Sequence, residues 1–111
     1  MRLTPAILVA AYEFLRATPP FVGWRLPEAD DVEFRVSHFS HLGECHANDG
    51  THVIAISARR ISHTDTLMRT MAHEMIHLRH NHVGIDTVHG APFVRDAKLV
   101  AKAHGFDPLE L

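Results

Sequence analysis

The sequence predicts an α+β fold: an N-terminal helix, a small three-stranded antiparallel sheet, a long central helix and a C-terminal helix. Three observations carry this expectation. Apolar residues recur at helical spacing in three separate stretches. Between the first two stretches, apolar and polar residues alternate. Pro, Gly or Asn-Asp-Gly punctuation bounds each segment. At 111 residues the chain fits one domain, spanning 1–111, with a core of its own.

The first helix starts at Thr4-Pro5, with Thr4 as N-cap and Pro5 at the first helical position. Ile7, Leu8, Ala11, Phe14 and Leu15 mark its apolar face, and Thr18-Pro19-Pro20 ends it. Residues 21–31 read as a connection rich in Pro, Gly and acidic residues. Val32 to Ser37 alternates as a half-buried strand does. A second strand is expected over His41–His46. Ala47-Asn48-Asp49-Gly50 is a turn signal, and Thr51 to Ser57 makes the third strand around Val53-Ile54-Ala55-Ile56. Ser62 with Asp65 resembles a capping box. The pattern is then helical to about His82, with Gly84 as a C′ residue. The last helix is expected from about Pro92, carrying Phe93, Ala97, Val100 and Ala101 inward, until Gly105 and Pro108 stop it.

Composition narrows the function. The chain is 46% hydrophobic and 22% charged, which are ordinary globular values and exclude wholesale disorder. A formal net charge of −2 is not that of a dedicated nucleic-acid binder. The single cysteine, Cys45, allows no internal disulfide and excludes a Cys-rich zinc ribbon within these residues. Residues 7–11 are apolar but too short for a signal peptide, and no stretch could span a bilayer. A cytoplasmic location is the default expectation. The 11 histidines stand out, because neutral imidazole is the commonest protein ligand for zinc.

Residues 73–77 read His-Glu-Met-Ile-His, a match to H-E-x-x-H. On a helix, positions i and i+4 project from one face, so His73 and His77 can share one Zn2+ ion. Glu74, beside the first ligand, can take a proton from water activated by the metal. At 100° per residue, Leu67, Met68, Met71, Met75 and Leu78 fall on a core side. His73, Glu74, His77 and His80 fall opposite, with Thr70 and Asn81. A catalytic zinc needs a third protein ligand. His80 lies a turn too far along, and Glu110 lies in the chain terminus. Asp86 is a weaker candidate than His89, which follows the turn at Gly84 and precedes Gly90, where backbone can pass close to a metal.

With these residues in view, the chain resembles the SprT-like (Spartan) metalloprotease domain family. The resemblance rests on Leu42-Gly43-Glu44-Cys45-His46, Asp49-Gly50, Ile54-Ala55-Ile56-Ser57, His73-Glu74-Met75-Ile76-His77 and His89-Gly90-Ala91-Pro92-Phe93. It covers about residues 1–107. That family pairs H-E-x-x-H with a later H-G-x-x-F, whose histidine is the third zinc ligand. The resemblance therefore implies a zincin-like minimal domain holding one zinc per chain on His73, His77 and His89. It also implies a link to DNA-bound proteins, which many members reach through segments not found in these residues.

The expected activity is zinc-dependent hydrolysis of peptide bonds in a protein or peptide substrate, with Glu74 as base. Tyr12, Arg95 and His104 are conceivable oxyanion stabilisers. Tyr12 is expected to pack with its hydroxyl at the surface, and His38, His41, His46, His52 and His63 to be surface or strand-edge residues. Arg95, Lys98 and Lys102 share a face of the last helix and are candidate nucleic-acid contacts, with Arg59, Arg60 and Arg69 adding charge near the zinc helix. DNA binding through them would be weak, and a nucleoid-associated location would follow from it. The competing readings are a non-catalytic zinc-stabilised module that works with DNA or the transcription machinery, and a peptide-processing protease unrelated to DNA.

Overall fold

Thr4 opens the first helix, α1 (Pro5–Arg16), its Oγ1 accepting the Ile7 N–H at 3.2 Å. The cap satisfies a backbone donor that the first turn leaves unpaired. Helical spacing then turns Leu8, Ala11, Tyr12 and Leu15 onto one buried face. In this computed structural model the described residues are 2–48, 50–61, 63–84 and 89–111. After α1 come β1 (Val32–Ser37), β2 (Gly43–Asn48), β3 (Thr51–Ser57), α2 (Thr64–Val83) and α3 (Ala91–His104). No helix among them is long and apolar enough to cross a membrane.

The sheet is mixed, which corrects the expected antiparallel arrangement. Its order is β1-β3-β2, with β1 parallel and β2 antiparallel to β3. The reason lies in the side chains. A central strand is covered on both faces and both edges, and Val53, Ile54, Ala55, Ile56 and Ser57 are all buried. β2 reads Gly-Glu-Cys-His-Ala-Asn, and Glu44, His46 and Ala47 are exposed. Placing β2 in the middle would bury those polar groups at high cost. The chain therefore carries β2 past β3 to the far edge and returns through the turn at Gly50.

The register decides which β2 backbone groups are free. Ser57 N–H donates to Leu42 O at 2.9 Å, so Leu42 and, by alternation, Glu44 and His46 face β3. Gly43, Cys45 and Ala47 turn their backbone N–H and C=O to the open edge, where no described strand pairs with them.

Helix α2 crosses this sheet with Leu67, Met71, Met75, Ile76 and Leu78 fully buried against Leu8, Tyr12, Ile54 and Ile56. The Tyr12 ring meets Phe34 edge-on, centroids 5.2 Å apart. Of the expected capping box, Ser62 lies outside the described residues. His63 takes the N-cap position without a side-chain bond, and Asp65 instead pairs with Arg69 at 3.0 Å. Gly84 ends α2 at φ 79°, a left-handed conformation that suits glycine.

The mixed order has a readout in hydrogen exchange. Every β3 amide from His52 to Ser57 should be protected, while Cys45 and Ala47 on the open edge of β2 exchange early. Protection along the whole of β2, with alternate β3 amides unprotected, would instead indicate an antiparallel sheet with β2 in the middle.

Candidate metal centre

The apolar face of α2 fixes its rotation, so His73 and His77 stand one turn apart beside the start of α3. His89 lies just before α3, next to its N-cap Gly90. The three Nε2 atoms form a nearly equilateral triangle: His73 to His77 3.2 Å, His77 to His89 3.1 Å, His89 to His73 3.2 Å. Three ring nitrogens so placed cannot all satisfy one another, whereas one shared cation can. Tetrahedral zinc with nitrogens at about 2.0–2.1 Å separates them by about 3.3–3.4 Å, close to this triangle. The cluster is thus able to hold one metal ion.

Electrostatics favour the same state. Burial, then the neighbouring His89, lowers His73 to about 4, with a hydrogen bond to the Leu111 backbone acting the other way. Burial, then His73, His89 and His80, lowers His77 to about 4. Both rings stay neutral at physiological pH, the form that ligates metal.

Phe93 is a site residue that periodicity alone assigns only to the core. Its buried ring lies 4.8, 4.7 and 4.9 Å from the rings of His73, His77 and His89. It fills the space behind all three imidazoles. The signal for it is the His89-Gly90-Ala91-Pro92-Phe93 segment, in which the aromatic follows the histidine by about one helical turn.

Glu74 is only 4% exposed, so this side of α2 is packed, not open to solvent as the helical projection suggests. Thr70 is buried beside it. A Cβ on Gly43 would meet Glu74 Oε2 at 3.0 Å, Ala55 O at 3.1 Å and Thr70 Cγ2 at 3.1 Å, so glycine lets β2 approach the carboxyl without displacing these neighbours. Burial, reinforced by Glu44, raises Glu74 to about 8. A proton-transfer group works best with its pKa near the working pH. Cys45 is pushed up to about 12 by burial and then by Glu74, so its thiol keeps its proton, and it is not among the residues whose ligand atoms converge.

His80 departs most from expectation. It is 1% exposed and turned to α3, its Nε2 at 2.8 Å from Asp96 Oδ2. Arg79 donates to the same oxygen at 3.1 Å, and its guanidinium lies 4.3 Å from the Trp24 ring. His80 therefore holds α3 onto α2. Asp86, the weaker ligand candidate, lies outside the described residues. Tyr12 is fully buried, its hydroxyl donating to Pro27 O at 2.6 Å instead of reaching the surface. His104 faces Thr18 Oγ1 at 2.9 Å. Arg95, Lys98 and Lys102 are exposed on α3.

Beside the triangle opens a cleft of about 400 Å³, lined by Leu42, Gly43, Arg60, Arg69, His73 and Glu74 among others. Glu110 also lines it, with its carboxylate 3.6 Å from Arg69 Nη1, and it is not among the residues whose ligand atoms converge. Tyr12, Arg95, Lys98, Lys102 and His104 do not line it.

A family model described as SprT-like family matches residues 12–109. No curated protein and no solved structure matches the chain.

The buried carboxyl predicts a pH signature in metal-free protein. Glu74 keeps its proton in the fold to about pH 8, whereas the unfolded chain releases it near 4.5. The native state therefore binds more protons in that window, and stability falls as pH rises through it. His73 and His77 act oppositely: their contribution is complete above 6.5 and is lost as pH falls toward 4. Glu74→Gln removes only the first effect. In chelator, its stability advantage over the parent should grow from pH 4.5 to 8, reaching on the order of 2 kcal/mol. Parallel thermal melts check this, and an advantage that shrinks with rising pH contradicts it. Asp96→Ala strands His80 and Arg79 without their partner and should cost about 3 kcal/mol in urea unfolding.

Proposed function

The chain belongs to the SprT-like family, and from that premise we propose that it is a zinc-dependent metallopeptidase, with His73, His77 and His89 holding the ion and Glu74 serving as general base. The observation that carries this reading is the convergence of three Nε2 atoms beside a buried carboxyl at the wall of a cleft. A zinc ion bound there supplies Lewis acidity, polarising a peptide carbonyl and acidifying water. Glu74 takes the proton of the attacking water and passes it to the departing amine. Its raised affinity for a proton suits both halves of that transfer.

A peptide substrate also fits the open edge of β2. An extended chain can add as a further strand, using the free backbone groups of Gly43 and Cys45. Gly43 touches the Glu74 side, so a peptide bond laid there comes close to the base. A non-catalytic module would have no use for a carboxyl buried at this electrostatic cost next to the ligand set. The reading extends to DNA-associated substrates through Arg95, Lys98 and Lys102, which lie exposed on α3 with no ion pair among the described residues.

Metal analysis with a protease assay tests the core of this. The parent should carry one zinc per chain, and His89→Ala should lose most of it. Glu74→Gln should keep fold and zinc while hydrolysis drops by about a hundredfold or more. Metal lost from His80→Ala but kept by His89→Ala would refute the ligand set. Cleavage by Glu74→Gln at the parent's rate would refute the base. Binding to single- and double-stranded DNA should be weak and should fall steeply with added salt. Equal binding by an Arg95/Lys98/Lys102 triple alanine variant would remove that patch from the reading.

A further inference from the structure

Arg69 stands one helical turn before His73 on α2 and lines the same cleft as His73 and Glu74. Its side chain is 20% exposed, and its Nε is held by Asp65 Oδ2 at 3.0 Å. That i,i+4 contact, with the Asp65 side chain 73% exposed, biases the guanidinium and leaves Nη1 unengaged by Asp65. What meets Nη1 is Glu110, with its backbone oxygen at 3.5 Å and its Oε2 at 3.6 Å. Glu110 belongs to a short turn, Pro108–Glu110, in which Asp107 Oδ1 accepts the Leu109 N–H at 2.9 Å. A peptide segment of the chain thus reaches the cleft wall, with the Glu110 carboxylate and backbone oxygen on Arg69.

The Glu110 contact is long, and its side chain is 60% exposed, so it is weak and open to exchange. A guanidinium anchored through Nε still presents a planar pair of donors to an incoming carboxylate. Arg60 adds a second positive charge to the cleft, its Nη1 occupied by Ser40 O at 2.7 Å.

We propose that Arg69 is the specificity-determining residue of this cleft, receiving an acidic side chain of a peptide substrate in the place that Glu110 now holds, with Asp107–Leu111 as a built-in competitor. The proposal rests on the metallopeptidase reading for the word substrate, but peptide binding tests it without hydrolysis.

The experiment uses zinc-loaded Glu74→Gln protein over residues 1–111 and fluorescent peptides that move one Glu through a neutral Ala/Ser background. Anisotropy reads affinity. One Glu position should bind roughly tenfold tighter than its Gln counterpart. Adding Arg69→Gln should erase that preference, and Arg69→Lys should retain part of it. Arg69→Glu should turn the preference toward Lys at the same position. Glu110→Gln should tighten acidic peptides several-fold by vacating the site. Circular dichroism and zinc content verify that each variant is folded and loaded. No preference at any position, or a preference that survives Arg69→Gln, overturns the proposal. Cleavage by the Glu74 parent is read separately. Acidic peptides bound through Arg69 but never cut would sink the peptidase reading alone. Peptides cut with no regard to charge would sink the Arg69 assignment alone.

Discussion

The Phe93 ring touches each of the three imidazoles, at centroid distances of 4.7–4.9 Å, and much of the site depends on that contact. Two imidazoles belong to α2 and the third precedes α3, so their convergence requires the two helices to dock at one depth and rotation. Phe93 supplies apolar burial at the point of docking. Asp96, one turn further along α3, adds the polar constraint through His80 and Arg79. Apolar packing alone tolerates sliding, while a buried ion pair with hydrogen-bond geometry does not. The two contacts together make a triangle with sides of 3.1–3.2 Å from residues as far apart as His73 and His89.

Glu74 imposes a second requirement, and the sheet answers it. A carboxyl in a dry setting is a strong base only if nearby backbone and side chains keep water away. β2 does this by lying so close that a Cβ on Gly43 would crowd the Glu74 carboxyl at 3.0 Å. That closeness is available because β2 is an edge strand, pinned on one side by β3 and free on the other. The same placement that buries the Glu74 carboxyl leaves a backbone edge of β2 open, so the buried carboxyl and the free edge come from one topological choice.

Local chemistry in the sequence was enough for much of this. Thr4-Pro5, Gly84 and Gly105 mark helix ends by steric and capping rules that act within a few residues, and α1, α2 and α3 begin or end there. β1 and β3 have the expected bounds, because alternation and a short apolar run are local patterns. β2 runs Gly43–Asn48, displaced from the expected 41–46, because its own residues carry little apolar signal. Strand order is a contest between elements, and only the contrast of Val53-Ile54-Ala55-Ile56 with Gly-Glu-Cys-His hinted at it. His73 and His77 were legible from spacing, and His89 gained its standing from the family resemblance. The helical projection misjudged His80 and Glu74, because an angle around an axis does not tell which neighbour covers it. α3 covers His80 and β2 covers Glu74. Glu110 reads from the sequence only as a terminal residue, since nothing local foretells that its turn packs on Arg69.

His73 and His77 share one helix, but His89 stands at the threshold of the next. An ion bound by all three is therefore a cross-link as well as a reagent, closing a loop of chain between two helices. Cross-links of this kind act largely by restricting the unfolded ensemble, and the loop here is short. Loading and the docking of α3 become linked equilibria. As metal becomes scarce, α3 loses one of its three attachments to α2, while the packing of α2 on the sheet is untouched. Zinc supply would then tune the mechanical tightness of one helix, a property of the fold that stands apart from any reaction performed in the cleft.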